Sequence, residues 1–111
     1  MKYLMNSAVI TSPGIYSYRL VSVEEAKKWA EFGSVYSTVG YEETAEALSK
    51  ILGKEVPLNR KTIVMKKGEE ALVFRLVLPP RHPRLNPRDK GKISDVVNKG
   101  YWELGILTKL E

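Results

Sequence analysis

The sequence predicts an α+β fold in which a mixed sheet of about five strands carries packed helices, in the order β-β-α-α-β-β-α-β. Short apolar runs bounded by Gly and Pro turns predict the strands, and stretches with apolar residues at helical spacing predict the helices. A chain of 111 residues is long enough to bury one core and too short for two, and it contains no internal repeat. We therefore expect a single domain over residues 1–111.

The chain begins with two predicted strands. Residues 2–10 are almost continuously apolar, which is typical of a buried strand. Residues 15–21 alternate well enough to form a second strand, which returns antiparallel as a hairpin after a turn at Pro13. Asn6 and Ser7 interrupt the first apolar run, and a buried Asn needs several hydrogen-bond partners. These two side chains either bridge parts of the fold or point into a site.

Two helices follow, each with clear end signals. Ser22 and Glu25 form a capping box, which predicts the start of the first helix. Residues 39–60 contain the second helix, which begins near Gly40 and ends with Gly53 as a left-handed stop. The backbone N–H groups at the start of this second helix also make a ready anion site.

The second half of the chain predicts three more strands and a short helix. Residues 61–67 form a lysine-flanked strand, and residues 70–78 are the most continuous apolar run, which favours the centre of the sheet. Residues 94–100 have the end signals of a short helix, and residues 101–110 form the last strand. Gly105 within that strand marks a bulge or the close approach of another group.

Residues 79–92 are the compositional anomaly, with four prolines, three arginines, two lysines and the only histidine. Proline fixes the backbone and removes hydrogen-bond donors, so this stretch is neither a central strand nor a regular helix. We expect an extended loop with a dense positive charge. Such a loop serves either as a solvated linker or as a flap that grips phosphate.

The composition limits the class of protein. The 18 Lys and Arg against 13 Asp and Glu give a net charge of +5, which favours polyanionic partners without selecting among nucleic acid, nucleotide and membrane surface. With no cysteine and one histidine, neither disulfides nor a structural zinc site is expected. No apolar run reaches the roughly 18 residues of a membrane span, and the start lacks the layout of a signal peptide. We therefore expect a cytoplasmic protein without a membrane partner.

Seven short segments, spread along nearly the whole chain, carry a resemblance to a known family. They are residues 4–10, 37–40, 44–48, 51–53, 56–60, 68–76 and 100–105. In this order and spacing the chain resembles small α/β proteins of archaeal viruses and of bacterial or archaeal mobile elements, a family that includes the viral type III anti-CRISPR ring nucleases.

The resemblance implies a homodimer, acting in a prokaryotic host, that binds a cyclic oligoadenylate, the second messenger of type III CRISPR defence. Cyclic tetra-adenylate is the favoured ligand. The resemblance further implies that the ring is cleaved without a metal ion or other cofactor, by attack of a ribose 2′-hydroxyl on its own phosphorus. A general acid then protonates the leaving 5′-oxygen, and cationic donors hold the charge on phosphate.

The chain departs from the family at two places. Tyr41 follows Gly40 where the family's ring nucleases have a histidine as general acid, and a tyrosine, with a reference pKa of about 10 against about 6.5, is the weaker proton donor near neutrality. Residues 79–92 replace a short loop whose Arg and Glu serve the family's site. Arg81 is the candidate for the arginine role, and no Glu matches. His82 either substitutes for the missing histidine or is an exposed loop residue.

The resemblance and the residue types together predict a site. Catalytic roles fall to Tyr41, His82 and Arg81, ligand-binding roles to Asn6, Ser7, Ser37, Gly40, Arg60 and Arg84, and no residue is assigned to a metal. Arg60 has an alternative role in a structural salt bridge. Two other functions stay open: a DNA- or RNA-binding protein that uses the basic loop, and a sponge that binds the cyclic nucleotide and returns it intact.

Overall fold

Within residues 2–6, 11–81 and 90–111, which the computed structural model describes, the chain forms five strands and three helices. For residues 90–93 the description covers the backbone only. The strands are β1 (Lys2–Met5), β2 (Tyr16–Val21), β3 (Val35–Ser37), β4 (Glu70–Leu76) and β5 (Trp102–Lys109), and the helices are α1 (Val23–Glu31), α2 (Glu42–Leu52) and α3 (Lys90–Asn98).

The five strands form one mixed sheet in the order β2-β5-β4-β1-β3, which confirms the predicted fold class. β1 lies between β3 and β4 and runs parallel to both, with Leu4 opposite Ser37 on one side and Leu72 on the other. β5 runs antiparallel to β4 and to β2. β4 is the central strand, as its apolar run predicted, and its residues Ala71 to Phe74 are buried.

The two faces of the sheet bury different layers. On one face, apolar side chains of the helices pack on the strands around Leu72 and Phe74. On the other face, Tyr3 and Val73 belong to a second cluster together with Met65. The helices therefore cover one face, and a segment without regular structure covers part of the other.

Residues 53–69, which we call the strap, join α2 to β4 and connect the two layers. Val56 belongs to the core on the helical face, whereas Met65 lies in the core on the opposite face. Between them, the Asn59 backbone N–H donates to the Val39 carbonyl at 2.9 Å, just beyond the end of β3. The strap therefore crosses from one face to the other beside this edge strand, an edge that would otherwise invite pairing with other chains.

A carboxylate holds the far end of the strap. Glu69 accepts hydrogen bonds from the Lys66 backbone N–H at 2.7 Å and from the Tyr3 hydroxyl at 3.2 Å. Burial disfavours the charged form of Glu69, but these hydrogen bonds and a nearby positive charge together outweigh burial and lower its pKa. Burial, together with the neighbouring Glu69, raises the pKa of Tyr3.

The predicted hairpin between the first two strands is wrong. β1 pairs with β3 and β4, whereas β2 pairs with β5 at the opposite edge of the sheet. Burial gives the reason. Tyr3 to Met5 of β1 are buried on both faces, so water does not reach their backbone groups, and a neighbouring strand on each side has to supply the hydrogen bonds. Ser17 to Leu20 of β2 are exposed, which suits an edge strand.

The predicted strand at residues 61–67 is not formed, and the fifth strand is β3, which lies between the first two helices where no strand was predicted. The backbone of Met65 bonds to side chains and not to a strand. Its N–H donates to Thr11 Oγ1 at 2.8 Å, and its carbonyl accepts from Ser12 Oγ at 3.1 Å. In the apolar run Ile63 to Met65, burial alternates: Met65 is buried, Ile63 is partly buried and Val64 between them is exposed. The segment thus lies across the sheet with one side chain inward and the next outward.

The predicted start of α1 and the predicted end of α2 are both confirmed. Ser22 Oγ accepts a hydrogen bond from the Glu25 backbone N–H at 3.1 Å, which is the expected capping box contact. Gly53 ends α2 with a φ of 69°, in the left-handed region that favours glycine.

The third helix begins earlier than predicted. α3 starts at Lys90 and not near Ser94, so the last residues of the predicted loop 79–92 are helical. Ser94 does not cap the helix, and its hydroxyl donates to the Glu43 carboxylate of α2 at 2.6 Å. No helix in the described ranges has the length and apolar character of a membrane span.

Gly105 of β5 confirms the predicted close approach. A Cβ at this position would lie 2.4 Å from Cζ of the Tyr18 ring, well inside van der Waals contact. The Tyr18 ring therefore rests on the bare backbone of β5.

Gly105→Ala is expected to lower the free energy of unfolding by about 1–3 kcal/mol, because the added methyl group displaces the Tyr18 ring. Urea unfolding followed by circular dichroism measures the change. In a Tyr18→Ala background the same substitution should cost much less. Equal losses in both backgrounds would contradict the contact.

Because the folded-state pKa of Glu69 is lowered, its carboxylate stabilises the fold above its unfolded pKa of about 4.3, and this contribution is lost as the pH falls through the folded value. We expect Glu69→Gln to be less stable than the parent at about pH 7 and to show a smaller loss of stability between about pH 7 and about pH 3. Urea midpoints at both pH values measure this, with Glu31→Gln at the exposed end of α1 as control. A pH dependence equal to that of the parent would show that Glu69 contributes nothing.

Candidate functional site

Three parallel strands end at one edge of the sheet, and predicted site residues follow them there. Asn6 follows β1, residues 38–41 follow β3, and residues 77–81 follow β4. We call these segments together the carboxyl edge. In open sheets with parallel strands, ligands bind outside the carboxyl ends of the strands, where the connecting loops supply the contacts.

The turn after β3 is tied to the end of β1. The backbone N–H and the hydroxyl of Thr38 both donate to the Leu4 carbonyl, at 2.9 and 2.7 Å. Asn6 lies two residues beyond Leu4, and Gly40 lies two residues beyond Thr38. These two predicted ligand-binding residues therefore leave the sheet from adjacent strand ends.

The strap is tied to the same turn by three hydrogen bonds. Ser37, which is only 6% exposed, donates from Oγ to the Pro57 carbonyl at 2.6 Å. Asn59 Nδ2 donates to the Ser37 carbonyl at 2.8 Å, and the Asn59 N–H donates to the Val39 carbonyl. Ser37 thus has a structural role here, and its contact with a ligand stays a prediction.

Arg60 lies against the turn and over the Tyr41 ring. Its guanidinium carbon is 5.7 Å from the ring centroid, within the range of a cation–π contact. A Cβ on Gly40 would lie 2.8 Å from Arg60 Cγ, so the missing side chain of Gly40 provides the room for the Arg60 stem. Arg60 is exposed, and its N–H donors have the geometry to grip a phosphate.

Tyr41 is the N-cap of α2. Its backbone is extended, its side chain makes no capping hydrogen bond, and it is half-buried. The hydroxyl is therefore not used to cap the helix. The positive end of α2 favours an anion at this position, although Glu42 and Glu43 in the first turn already supply negative charge.

Arg81 lies at the end of the segment that follows β4. It is exposed, and its φ of 67° places it in the left-handed region, which is uncommon for a residue other than glycine. Strained residues of this kind cluster at turns and at functional sites. The other predicted site residues, Ser7, His82 and Arg84, lie outside the described residues.

The carboxyl edge carries exposed positive charge. In the described ranges, no carboxylate lies within ion-pair distance of Arg60 or Arg81. The salt bridge considered for Arg60 is therefore not found in this part of the chain, and its described partner is the Tyr41 ring. Arginines without a carboxylate partner attract phosphate groups.

Sequence reasoning missed Thr38 and Asn59, which hold the site together. Both stand beside residues predicted for the site, but their hydrogen bonds run to backbone carbonyls far away in the chain, 34 positions for Thr38 and 22 for Asn59. Asn59, in the middle of the strap, has no local signal, and for Thr38 the only one is a short polar side chain directly after a strand. It indicates a backbone contact without identifying the carbonyl.

Comparison with known sequences gives relatives over nearly the whole chain. A sequence model of the STIV B116-like family matches residues 2–91. The uncharacterized protein YddF of Bacillus subtilis (strain 168) is 33% identical over 110 residues, which cover 96% of this chain and 95% of that protein. The uncharacterized protein 26 of Sulfolobus islandicus filamentous virus (isolate Iceland/Hveragerdi) is 36% identical over 118 residues, with 97% of this chain and 93% of that protein covered.

Among solved structures, B116 of Sulfolobus turreted icosahedral virus has a similar fold. The TM-score is 0.71, with 96% of this chain and 97% of that chain covered. At 18% identity, this likeness concerns the fold alone.

Ser37→Ala is expected to lower the free energy of unfolding by about 1–3 kcal/mol, because it leaves the Pro57 carbonyl without its donor. Ser34→Ala, at an exposed position of the preceding turn, is the matched control and should change stability by less than about 0.5 kcal/mol. Urea unfolding measures both variants. Small and equal changes would contradict the role of Ser37 in holding the strap.

Proposed function

The chain belongs to the STIV B116-like family, and on that premise we propose that it is a ring nuclease, which binds a cyclic oligoadenylate in the cleft of a homodimer and opens the ring without a metal ion. The observation that carries the proposal is the position of Arg60 over Tyr41 at the start of α2. A cationic donor, a phenol hydroxyl and the positive end of a helix meet at this point of the carboxyl edge.

A homodimer suits such a ligand because a cyclic oligonucleotide has rotational symmetry. Two copies related by a two-fold axis offer the same groups to equivalent phosphates. We favour cyclic tetra-adenylate as the substrate. In the proposal each subunit contributes one carboxyl edge, and Asn6, Gly40 and Arg60 contact the ring, together with Ser7 and Arg84.

In the proposed reaction, a ribose 2′-hydroxyl attacks the adjacent phosphorus, its proton passes to solvent, and the bond to the 5′-oxygen breaks. The product is a linear oligonucleotide with a 2′,3′-cyclic phosphate end. Holding the hydroxyl in line with the phosphorus supplies much of the acceleration. The Tyr41 hydroxyl donates to the leaving 5′-oxygen or to a phosphate oxygen, while Arg60 and Arg81 balance the charge on phosphate. His82 is the second candidate for the acid.

A sponge is the second candidate function, and Tyr41 is the residue that favours it. A tyrosine in place of the family's histidine keeps a hydrogen-bond donor for binding but is a weaker acid at neutral pH. A sponge binds the ring tightly and releases it intact.

Incubation with cyclic tri-, tetra- and hexa-adenylate in the presence of EDTA, followed by chromatography, tests the proposal. We expect linear products with cyclic phosphate ends from cyclic tetra-adenylate. Recovery of the intact ring from a tight complex would establish a sponge. Binding that does not prefer cyclic ligands and that falls steeply with salt would instead indicate a DNA- or RNA-binding protein.

Tyr41→Phe is expected to lower the single-turnover rate by about 100-fold or more, because it removes the proton donor and keeps the ring under Arg60. The affinity of this variant for the cyclic nucleotide should stay close to that of the parent. Tyr36→Phe, an exposed tyrosine of β3, is the matched control. If Tyr41→Phe and His82→Ala both leave the rate unchanged, neither residue is the acid.

A further inference from the structure

We infer that Asn59 is a positioning residue for Arg60: by tying the strap to the turn after β3, it sets the guanidinium over the Tyr41 ring and toward the ligand. The effect on a ligand rests on the proposed function. The placement of Arg60 by Asn59 does not depend on the proposed function, because it concerns only contacts within the chain. Asn59 itself is assigned no contact with the ligand.

Asn59 is the last residue at which the strap is tied to the turn before Arg60. Its side chain donates to the Ser37 carbonyl at 2.8 Å, and its backbone N–H donates to the Val39 carbonyl at 2.9 Å. These two carbonyls flank Thr38, so Asn59 holds the turn at two points. Two bonds from one residue prevent rotation about either, and this fixes the direction in which the chain continues to Arg60.

Within the described part of the chain, Arg60 has few other contacts to order it. Its side chain is exposed, and its described contacts are the Tyr41 ring at 5.7 Å and the bare backbone at Gly40. Arginine loses much rotamer freedom when it is ordered, and an exposed cation–π contact is weak. The next hydrogen bond that the described part of the strap makes to another segment is that of Met65 to Thr11.

Loss of the Asn59 side chain leaves the backbone bond to Val39 and frees the strap to turn about it. Arg60 then adopts orientations away from Tyr41, and a phosphate at the carboxyl edge meets its guanidinium less often. Because Asn59 acts through Arg60, removing it cannot weaken binding more than removing Arg60 does.

A double-mutant cycle on the binding of cyclic tetra-adenylate tests the inference. Arg60→Ala should weaken binding by about 10-fold or more, as a lost charge-assisted contact to phosphate does. Asn59→Ala should weaken it by about 3- to 10-fold, and the double variant should bind no more weakly than Arg60→Ala alone. Additive losses would overturn the inference, because Asn59 would then act independently of Arg60.

Thr11→Val is the matched control, because it removes another side-chain partner of the strap, at Met65. It should lower stability, as Asn59→Ala does, and leave the affinity for cyclic tetra-adenylate unchanged. Equal losses of affinity in the two variants would also overturn the inference, since they would indicate a general loosening of the strap.

Ligand-free NMR separates failure of this inference from failure of the proposed function. The ring current of Tyr41 shifts the signals of the Arg60 side chain, and Tyr41→Leu identifies that shift by removing it. Asn59→Ala should remove the same shift, whereas Thr11→Val should keep it.

If the shift survives Asn59→Ala, the positioning role is wrong. If the shift is lost but Arg60→Ala binds cyclic tetra-adenylate like the parent, the proposed function is wrong and the positioning role stands.

Discussion

The parallel pairing of β1 with both β3 and β4 is the interaction on which the rest of the structure depends. β1 is short and buried on both faces, so it needs a neighbouring strand on each side. Because all three strands run the same way, Asn6, the turn at Gly40 and residues 77–81 leave the sheet at one edge. A reversed β1 would place Asn6 at the opposite end of the sheet, and no common site would form.

The strap, and not a strand, positions Arg60. It starts on the helical face, passes the edge at β3 and ends on the opposite face, so it cannot pair with the sheet along its length. Its hydrogen bonds run to individual groups, such as the Ser37 carbonyl for the Asn59 side chain and Thr11 Oγ1 for the Met65 N–H. The position of Arg60 therefore depends on a few individual side chains, in contrast to the strand ends, which a whole ladder fixes.

The sequence predicts a feature well when its cause lies in neighbouring residues. The end of α2 at Gly53 and the central place of β4 follow from a left-handed stop and an apolar run. The partners of β1 and the path of the strap do not, because the apolar run that ends at Met65 reports burial of side chains and not what the backbone pairs with. The same holds for the site. Tyr41 was identified from a family resemblance, whereas the long-range bond of Asn59 leaves no trace in the residues around it.

The way the strap is attached also means that the contacts around Arg60 break more easily than the sheet does. The sheet opens only when several ladders break together, whereas the strap detaches when a handful of side-chain hydrogen bonds break. Segments of this kind open locally at a lower free energy than the core. The arrangement of Arg60 and Tyr41 is therefore a local equilibrium within the native state, and amide exchange should be faster in the strap than in β4. The contact of Arg60 with the Tyr41 ring can break and form again while the sheet stays folded.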